Sequence, residues 1–374
     1  MEKQLSKEQV SIISYFLIRS CFMGLAMEML VQIAKQDSIF GLFFGALLGI
    51  IPFLLYQYLM NYNPDFSIIE LNIHAFGKKI GKIINILLIA FVFLLGTVVF
   101  WNLIIFISSQ YLYQTPTLFI AILFIIPIFY LLIRRLKGIA RVSMILVIFS
   151  LILYFISIFG LMGQVHWYNF RPLFTTPVSS ILNSSFHYFA YCTLILFLIT
   201  IIPKNQIAER NKKNWKTSWK IGYFLIHLFT FSALFFTIAV FGIKMTLIYQ
   251  YPEFHILKRV SIVGVLERIE STLAFRWIFD FFISITFCLY FVTEGIKRTF
   301  QIQKDKIFMI IQVLVCIAIT YLSTIIFPNN TEGFYFLTNY FPLLLVLFFL
   351  VIPTITYLRL ISMKKKQQKT FSNK

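Results

Sequence analysis

Residues 81–112 read GKIINILLIAFVFLLGTVVFWNLIIFISSQYL, an apolar run whose only charge is Lys82. A helix rises about 1.5 Å per residue and a bilayer's hydrocarbon is roughly 30 Å thick, so about 20 apolar residues cross it. The run passes that test with residues to spare. Applied along the chain, the test predicts ten spans, near 10–34, 39–60, 81–112, 117–134, 140–162, 179–202, 217–243, 277–298, 307–327 and 334–361. The fourth is short, and only QYLYQTPT (110–117) parts it from the third. Thr115-Pro116 supplies the break, because proline cannot continue a helix and restricts the residue before it.

Composition agrees. Hydrophobic residues make up 59% of the 374 and charged residues 13%, against about half and a quarter in a soluble domain. A soluble fold could not cover this much apolar surface, whereas lipid leaves it no need of cover. The expectation is an all-α polytopic membrane protein, one membrane domain over 1–374. The formal charge of +19 does not point to nucleic acid, because the basic residues lie between the apolar runs, where they orient a membrane protein. Cys21, Cys192, Cys288 and Cys316 fall inside apolar runs without metal-ligand spacing and read as small hydrophobes. Residues 1–9 are short and polar and lead into a full span, so no cleaved signal peptide is expected.

Orientation follows from Lys and Arg. With the N-terminus inside, the cytoplasmic segments carry 25 of the 33 basic residues and the outer segments 7, with Arg19 inside the first span. That asymmetry predicts two cytoplasmic termini and supports an even number of spans.

Ten spans divide after the fifth, at GQVHWYNFRPLFTTPV (163–178), into halves 10–162 and 179–361. Five spans per half means the second half enters the membrane with opposite sense, the inverted repeat of many secondary transporters. The first span of each half is interrupted: Arg19-Ser20-Cys21-Phe22-Met23-Gly24 and then Glu28 in one, Asn183-Ser184-Ser185 and then His187, Tyr188, Tyr191, Cys192 and Thr193 in the other. Discontinuous helices free backbone N–H and C=O groups to grip a solute. Close packing through small residues is the competing reading. The longest outer segment, 244–276, has apolar positions such as Leu257, Val260, Val263 and Leu266 at helix-like spacing. It reads as an amphipathic loop at the outer mouth: a lid, a docking surface or an interfacial helix.

In that segment Tyr251-Pro252-Glu253-Phe254-His255-Ile256-Leu257-Lys258-Arg259, then Ser261-Ile262 and Leu266-Glu267-Arg268-Ile269-Glu270-Ser271, resembles the loop signature of spore germinant receptor B subunits. These are permease-like proteins of the amino acid–polyamine–organocation transporter superfamily. The resemblance extends to the polar N-terminus, the span count, the basic 203–220 loop and the Lys-rich tail. It implies a leucine-transporter-like 5+5 fold and binding of a small nutrient, such as an amino acid. It also implies a place in the spore inner membrane beside an A subunit and a lipoprotein C subunit. Two departures leave the nutrient open: only Gly24 stands where the family often has two glycines, and no acidic residue follows Phe189-Ala190-Tyr191.

In such a fold the pocket lies between spans one, three, six and eight. Gly24 is the leading residue, since a residue without Cβ lets a ligand approach the backbone. Tyr191, in the interrupted stretch of span six, is the candidate from that helix. Thr97 and Trp101 share a face of span three, and Thr286 and Tyr290 share one of span eight. Each pair offers a hydroxyl and an aromatic wall, although a Thr bonded back to its own turn is the plain alternative. Arg19 is expected to reach cytoplasmic water, and Asp280 to pair with Arg276 four residues before it near the outer surface. Glu28 is either functional or hydrated at the interface. His187 and His227 read as packed or hydrogen-bonded core residues.

No Gly-rich phosphate loop, nucleophile elbow or metal constellation is present, so neither catalysis nor a cofactor is expected. A nutrient-sensing receptor subunit and a secondary amino acid transporter driven by a proton or sodium gradient fit the spans equally. Only the resemblance separates them. A membrane enzyme acting on lipids is disfavoured, because the five histidines are dispersed and the acids mostly lie in loops.

Overall fold

A computed structural model describes residues 5–207, 215–258 and 269–372. Among these the regular structure is helical, apart from an isolated bridge between Leu5 and Ile207. Eight helical stretches are long and apolar enough to cross a membrane. The first of them, Lys7–Tyr62, contains two helices, α1 (7–34) and α2 (38–62), parted by a 3-10 turn at Lys35–Asp37 where Lys35 has φ 48°. The others are α3 (Lys78–Gln110), α5 (Arg135–Met162), α6 (Val178–Ile201), α7 (Trp215–Ile248), α8 (Ile269–Phe300), α9 (Asp305–Ile325) and α10 (Phe341–Lys365). Between α3 and α5 stands α4 (Thr117–Ile133), only 17 residues long, opening directly after Pro116.

Local chemistry sets these ends. Ser6 caps α1 with a capping box, its hydroxyl accepting from the Gln9 amide while its own amide donates to Gln9 Oε1 at 2.9 Å. Gly77, at φ 79°, turns the chain from the short helix Ile68–Phe76 into α3. Exposed apolar side chains such as Ile83, Leu87, Ile148 and Leu314 clothe the outside of the bundle, as a lipid-facing surface requires.

Close helix contact is specified by α2. Gly41, Gly45 and Gly49 recur at four-residue spacing and meet Ser184, Ser185 with Tyr188, and Thr193 of α6. A Cβ on Gly45 would lie 2.6 Å from the Ser185 carbonyl oxygen. This stripe fixes α6, and with it the interrupted stretch of the sixth span, against α2.

The interruptions are changes of helical period, not unwound chain. In α1 a π-helical turn occupies Phe22–Ala26; in α6 one occupies Phe189–Thr193, followed by a 3-10 stretch at Leu194–Ile201. A third π turn, Leu347–Val351, lies in α10. Such turns offset the backbone hydrogen-bond ladder by one residue and often mark functional sites. The amphipathic segment expected over 244–276 is described only in part. Pro252–Leu257 is a short helix with Pro252, Glu253, Phe254, Ile256 and Leu257 buried, α8 begins at Ile269, and 259–268 lie outside the described residues.

Candidate functional site

The π turns of α1 and α6 pack against each other in the core, with the Phe22 and Tyr188 rings edge to face at 5.9 Å. Gly24 lies in the first of them. Its carbonyl oxygen accepts from Nδ2 of Asn102 on α3, a fully buried side chain. The same amide's Oδ1 has no partner among the described residues. An unpaired acceptor in such a place costs about 1–3 kcal/mol. The space in front of Gly24 is filled: a Cβ there would lie 2.8 Å from Phe281 Cζ and 3.0 Å from Asn102 Oδ1. Gly24, Asn102 and Phe281 thus form a closed centre with one acceptor to spare.

The structure brings Gly24 and Tyr191 onto the two packed π turns and distributes the other expected residues along the bundle. The Tyr191 hydroxyl donates to the Leu337 carbonyl, and its ring stacks on Phe341 at 6.1 Å. Thr97 and Thr286 bond back to their own turns, to the Phe93 and Phe282 carbonyls at 2.8 and 2.7 Å. Trp101 packs on Phe327 and Phe334, against the α9–α10 connection. Tyr290 lines a cleft of about 550 Å³ at the end that carries the N-terminus, with Arg134, Glu294 and Lys297. Both threonine hydroxyls are thus engaged within their own helices.

The buried charges follow a pattern different from the expected one. Arg19 reaches no water; its Nε donates to Asp280 Oδ2 at 2.9 Å, and both side chains are fully buried. Asp280 is thus joined to α1, while Arg276 one turn away donates to Glu253 of the short helix Pro252–Leu257. The guanidinium groups lie over aromatic faces, Arg19 over Tyr15 at 5.4 Å and Arg276 over Tyr154 at 5.2 Å. Tyr15 meets Ser150 of α5 and Tyr154 meets Ser232 of α7. Two cations and two anions are therefore held between α1, α5, α7 and α8. The sequence offered one clue to this cluster: Arg19 lies deep inside an apolar run, where an ionisable group demands a partner.

His187 and His227 are hydrogen-bonded, as expected. His227 Nδ1 meets the Tyr188 hydroxyl at 2.6 Å, and His187 meets the Asn183 and Thr338 carbonyls at 2.9 and 3.0 Å. Glu28 accepts from Gln32 one turn on. Among the described residues no group of three or more His, Cys, Asp or Glu side chains is arranged to hold a metal ion.

Comparison with known proteins adds the lineage. A family profile described as spore germination protein matches residues 4–332. The chain is 24% identical over 326 residues to the spore germination protein GerQB of Bacillus cereus, covering 83% of this chain and 85% of that one. Among solved structures it resembles the manganese transporter of Eremococcus coleocola, in complex with an aromatic bis-isothiourea substituted compound. The TM-score is 0.55 at 12% identity, over 94% of this chain and 84% of the transporter. A histidine-to-alanine mutant of that transporter gives 0.54 at 14% identity with the same coverage. At such identities the likeness is one of fold, a transporter-like helical bundle. The match along 4–332, on a chain of apolar helices, makes this protein a member of the spore germination protein family, the permease-like proteins of endospore germination.

Proposed function

We propose that the chain is the nutrient-binding, permease-like subunit of a spore germinant receptor, and that its ligand, an amino acid in the first instance, binds where the π turns of α1 and α6 meet α3 and α8. One observation carries the reading: the free Oδ1 of Asn102 beside Gly24, an unpaired acceptor buried at the bundle's centre. An ammonium group donating to that oxygen would replace a penalty with a charge-assisted hydrogen bond. Phe281 must move for this to happen, so the ligand favours an open arrangement over the closed one. Only such a difference in affinity lets a ligand shift a conformational equilibrium. Gly24 and Tyr191 line the site itself in this reading; Thr97, Trp101, Thr286 and Tyr290 line the approaches to it from either end.

The wider arrangement belongs to the same proposal. Splitting 7–62 at Lys35–Asp37 and counting α4 gives ten spans, two inverted halves over 10–162 and 179–361, and both termini in the cytoplasm. The membrane is the spore inner membrane, and the partners are an A subunit and a lipoprotein C subunit. The role is binding and signalling, not catalysis. The second reading, a secondary amino acid transporter, draws support from the fold shared with a manganese transporter. Deleting the chain's gene decides between them. Loss of germination to one nutrient with uptake unchanged supports the receptor, and labelled amino acid accumulating in vesicles that hold this chain alone supports the transporter.

A further inference from the structure

The ion cluster beside α1 is incompletely partnered. Arg19 leaves Nη1 and Nη2 without hydrogen bonds, and Arg276 leaves Nε and Nη1; Asp280 Oδ1 and Glu253 Oε2 are unpartnered acceptors. A cluster built only to hold helices together would have these groups closed on one another, because each buried charge without its full set of bonds is costly. The adjoining cavity, at Tyr154, Ser232, Glu253 and Arg276, measures about 20 Å³, room for one water. One water makes two to four hydrogen bonds and cannot satisfy four nitrogens and two oxygens. Guanidinium nitrogens beside free carboxylate oxygens are the chemistry that receives a carboxylate and an ammonium group together.

Glu253 differs from the other three charges in where it comes from. It is carried by the short helix Pro252–Leu257 in the α7–α8 connection, outside the long helices. Its carboxylate sits on the guanidinium that a ligand's carboxylate would take. The two cations and two anions of the closed cluster sum to zero, and a ligand carboxylate that displaces Glu253 replaces its charge on Arg276 one for one.

We propose that Arg276, with Arg19 and Asp280 behind it, is a subsite for a small zwitterion bearing a carboxylate, and that Glu253 is its built-in occupant. A ligand molecule here, separate from one at Asn102, puts its carboxylate on Arg276 in place of Glu253 and its ammonium on the free oxygen of Asp280. Glu253 then leaves, and Pro252–Leu257 is released with it. The identity of the ligand as an amino acid rests on the nutrient-binding reading above; the latch between Glu253 and Arg276 does not.

The test uses the full chain in lipid nanodiscs with a thiol on the latch. Ile256 is buried, so in Ile256→Cys the maleimide labelling rate reports how often the segment opens. The native cysteines are buried and give the background rate. Adding Glu253→Gln should raise labelling about tenfold or more by removing a charge-assisted hydrogen bond, and Glu253→Asp should restore much of the protection. Equal rates in Ile256→Cys with and without Glu253→Gln would overturn the latch. Each standard amino acid is then added in turn, with its amide as control. At least one acid should speed labelling where its amide does not, and the response should weaken in Arg276→Lys, which keeps the charge but loses the fork. No responding acid, or an amide as effective as the acid, would overturn the carboxylate subsite. A latch that behaves as stated in a chain whose deletion leaves germination untouched sinks the receptor reading and leaves the subsite standing.

Discussion

Asn102→Leu separates binding from folding at the proposed site. The side chain is fully buried, donates to the Gly24 carbonyl and keeps one unpaired acceptor. Leucine fills a similar volume and removes both features. Leaving the Gly24 carbonyl unpaired costs about 1–3 kcal/mol, and removing a buried unpaired oxygen returns a similar amount, so net stability should change by about 1 kcal/mol or less. The ligand loses a hydrogen bond from a charged donor, about 1.5–3 kcal/mol. At about 1.4 kcal/mol per factor of ten, the nutrient concentration for half-maximal germination should rise roughly ten- to a hundredfold. The assay is the germination dose–response of spores carrying the variant, with its membrane level measured by immunoblot. A variant present at the parent's level with an unshifted curve would refute the assignment of Asn102 to the site.

Three further outcomes follow from the packing and the charges. Gly45→Leu puts a side chain where even a Cβ lies 2.6 Å from the Ser185 oxygen, a backbone atom that cannot swing aside. The cost should be about 1–3 kcal/mol and appear as a lower Tm in detergent, and an unchanged Tm would contradict the close contact of α2 with α6. Arg19→Gln should destabilise by about 3–5 kcal/mol by stranding Asp280, whereas Arg19→Met with Asp280→Leu should recover most of the loss. If the double variant melts as low as the single one, a stranded charge is not what destabilises Arg19→Gln. Asp37, in the α1–α2 turn, accepts from the Phe174 and Thr176 amides and the Thr176 hydroxyl. Burial pushes its carboxyl upward, but these hydrogen bonds outweigh that and hold it below the ordinary 3.8. A lowered carboxyl stabilises the fold above 3.8 and loses that contribution as pH falls through the folded value. The Tm difference between the parent and Asp37→Asn should therefore stay constant down to about pH 4 and close at lower pH, and closure at higher pH would sink the assignment.

The sequence was most legible where the physics is local. Apolar runs became helices because a chain in lipid must satisfy its backbone within each segment, and the break at Thr115-Pro116 appears as the start of α4. The interruptions near Gly24 and Tyr191 were visible as polar and small residues in apolar surroundings. Their form, a π turn in each helix, depends on how α2, α3 and α6 pack around them. Asn102 is one position from Trp101, yet nothing local distinguishes the residue that reaches Gly24 from the one that packs on Phe334. The charges were misassigned for the same reason. Four-residue spacing suggested Arg276 with Asp280, whereas the pair that forms, Arg19 with Asp280, is 261 residues apart. Nor does any helical period encode the pairing of Glu253 with Arg276, which holds Pro252–Leu257 inward.

The two sites are not independent, because neighbouring residues of α8 serve both. Phe281 fills the space before Gly24, and Asp280, one residue before it, is bonded to Arg19. Arg19 and Gly24 are five residues apart on α1, with the π turn Phe22–Ala26 beginning between them, and consecutive residues of α8 meet both. α8 therefore touches α1 twice, through an apolar plug and an ion pair. Adjacent Cα atoms are about 3.8 Å apart, so if Phe281 clears Gly24 by a backbone shift, Asp280 must move with it and stretch the 2.9 Å bond to Arg19. Arg276 lies one turn away on the same rigid helix and carries the strain to Glu253. If Phe281 clears by side-chain rotation alone, the ion pair stays intact and the latch answers only to a ligand at Arg276 itself. Opening at Gly24 and release of Pro252–Leu257 are thus one event or two according to whether α8 moves. Phe281→Ala separates the cases, since emptying the space before Gly24 admits the ligand without moving α8 and should weaken the latch's response to nutrient only if the helix is the carrier.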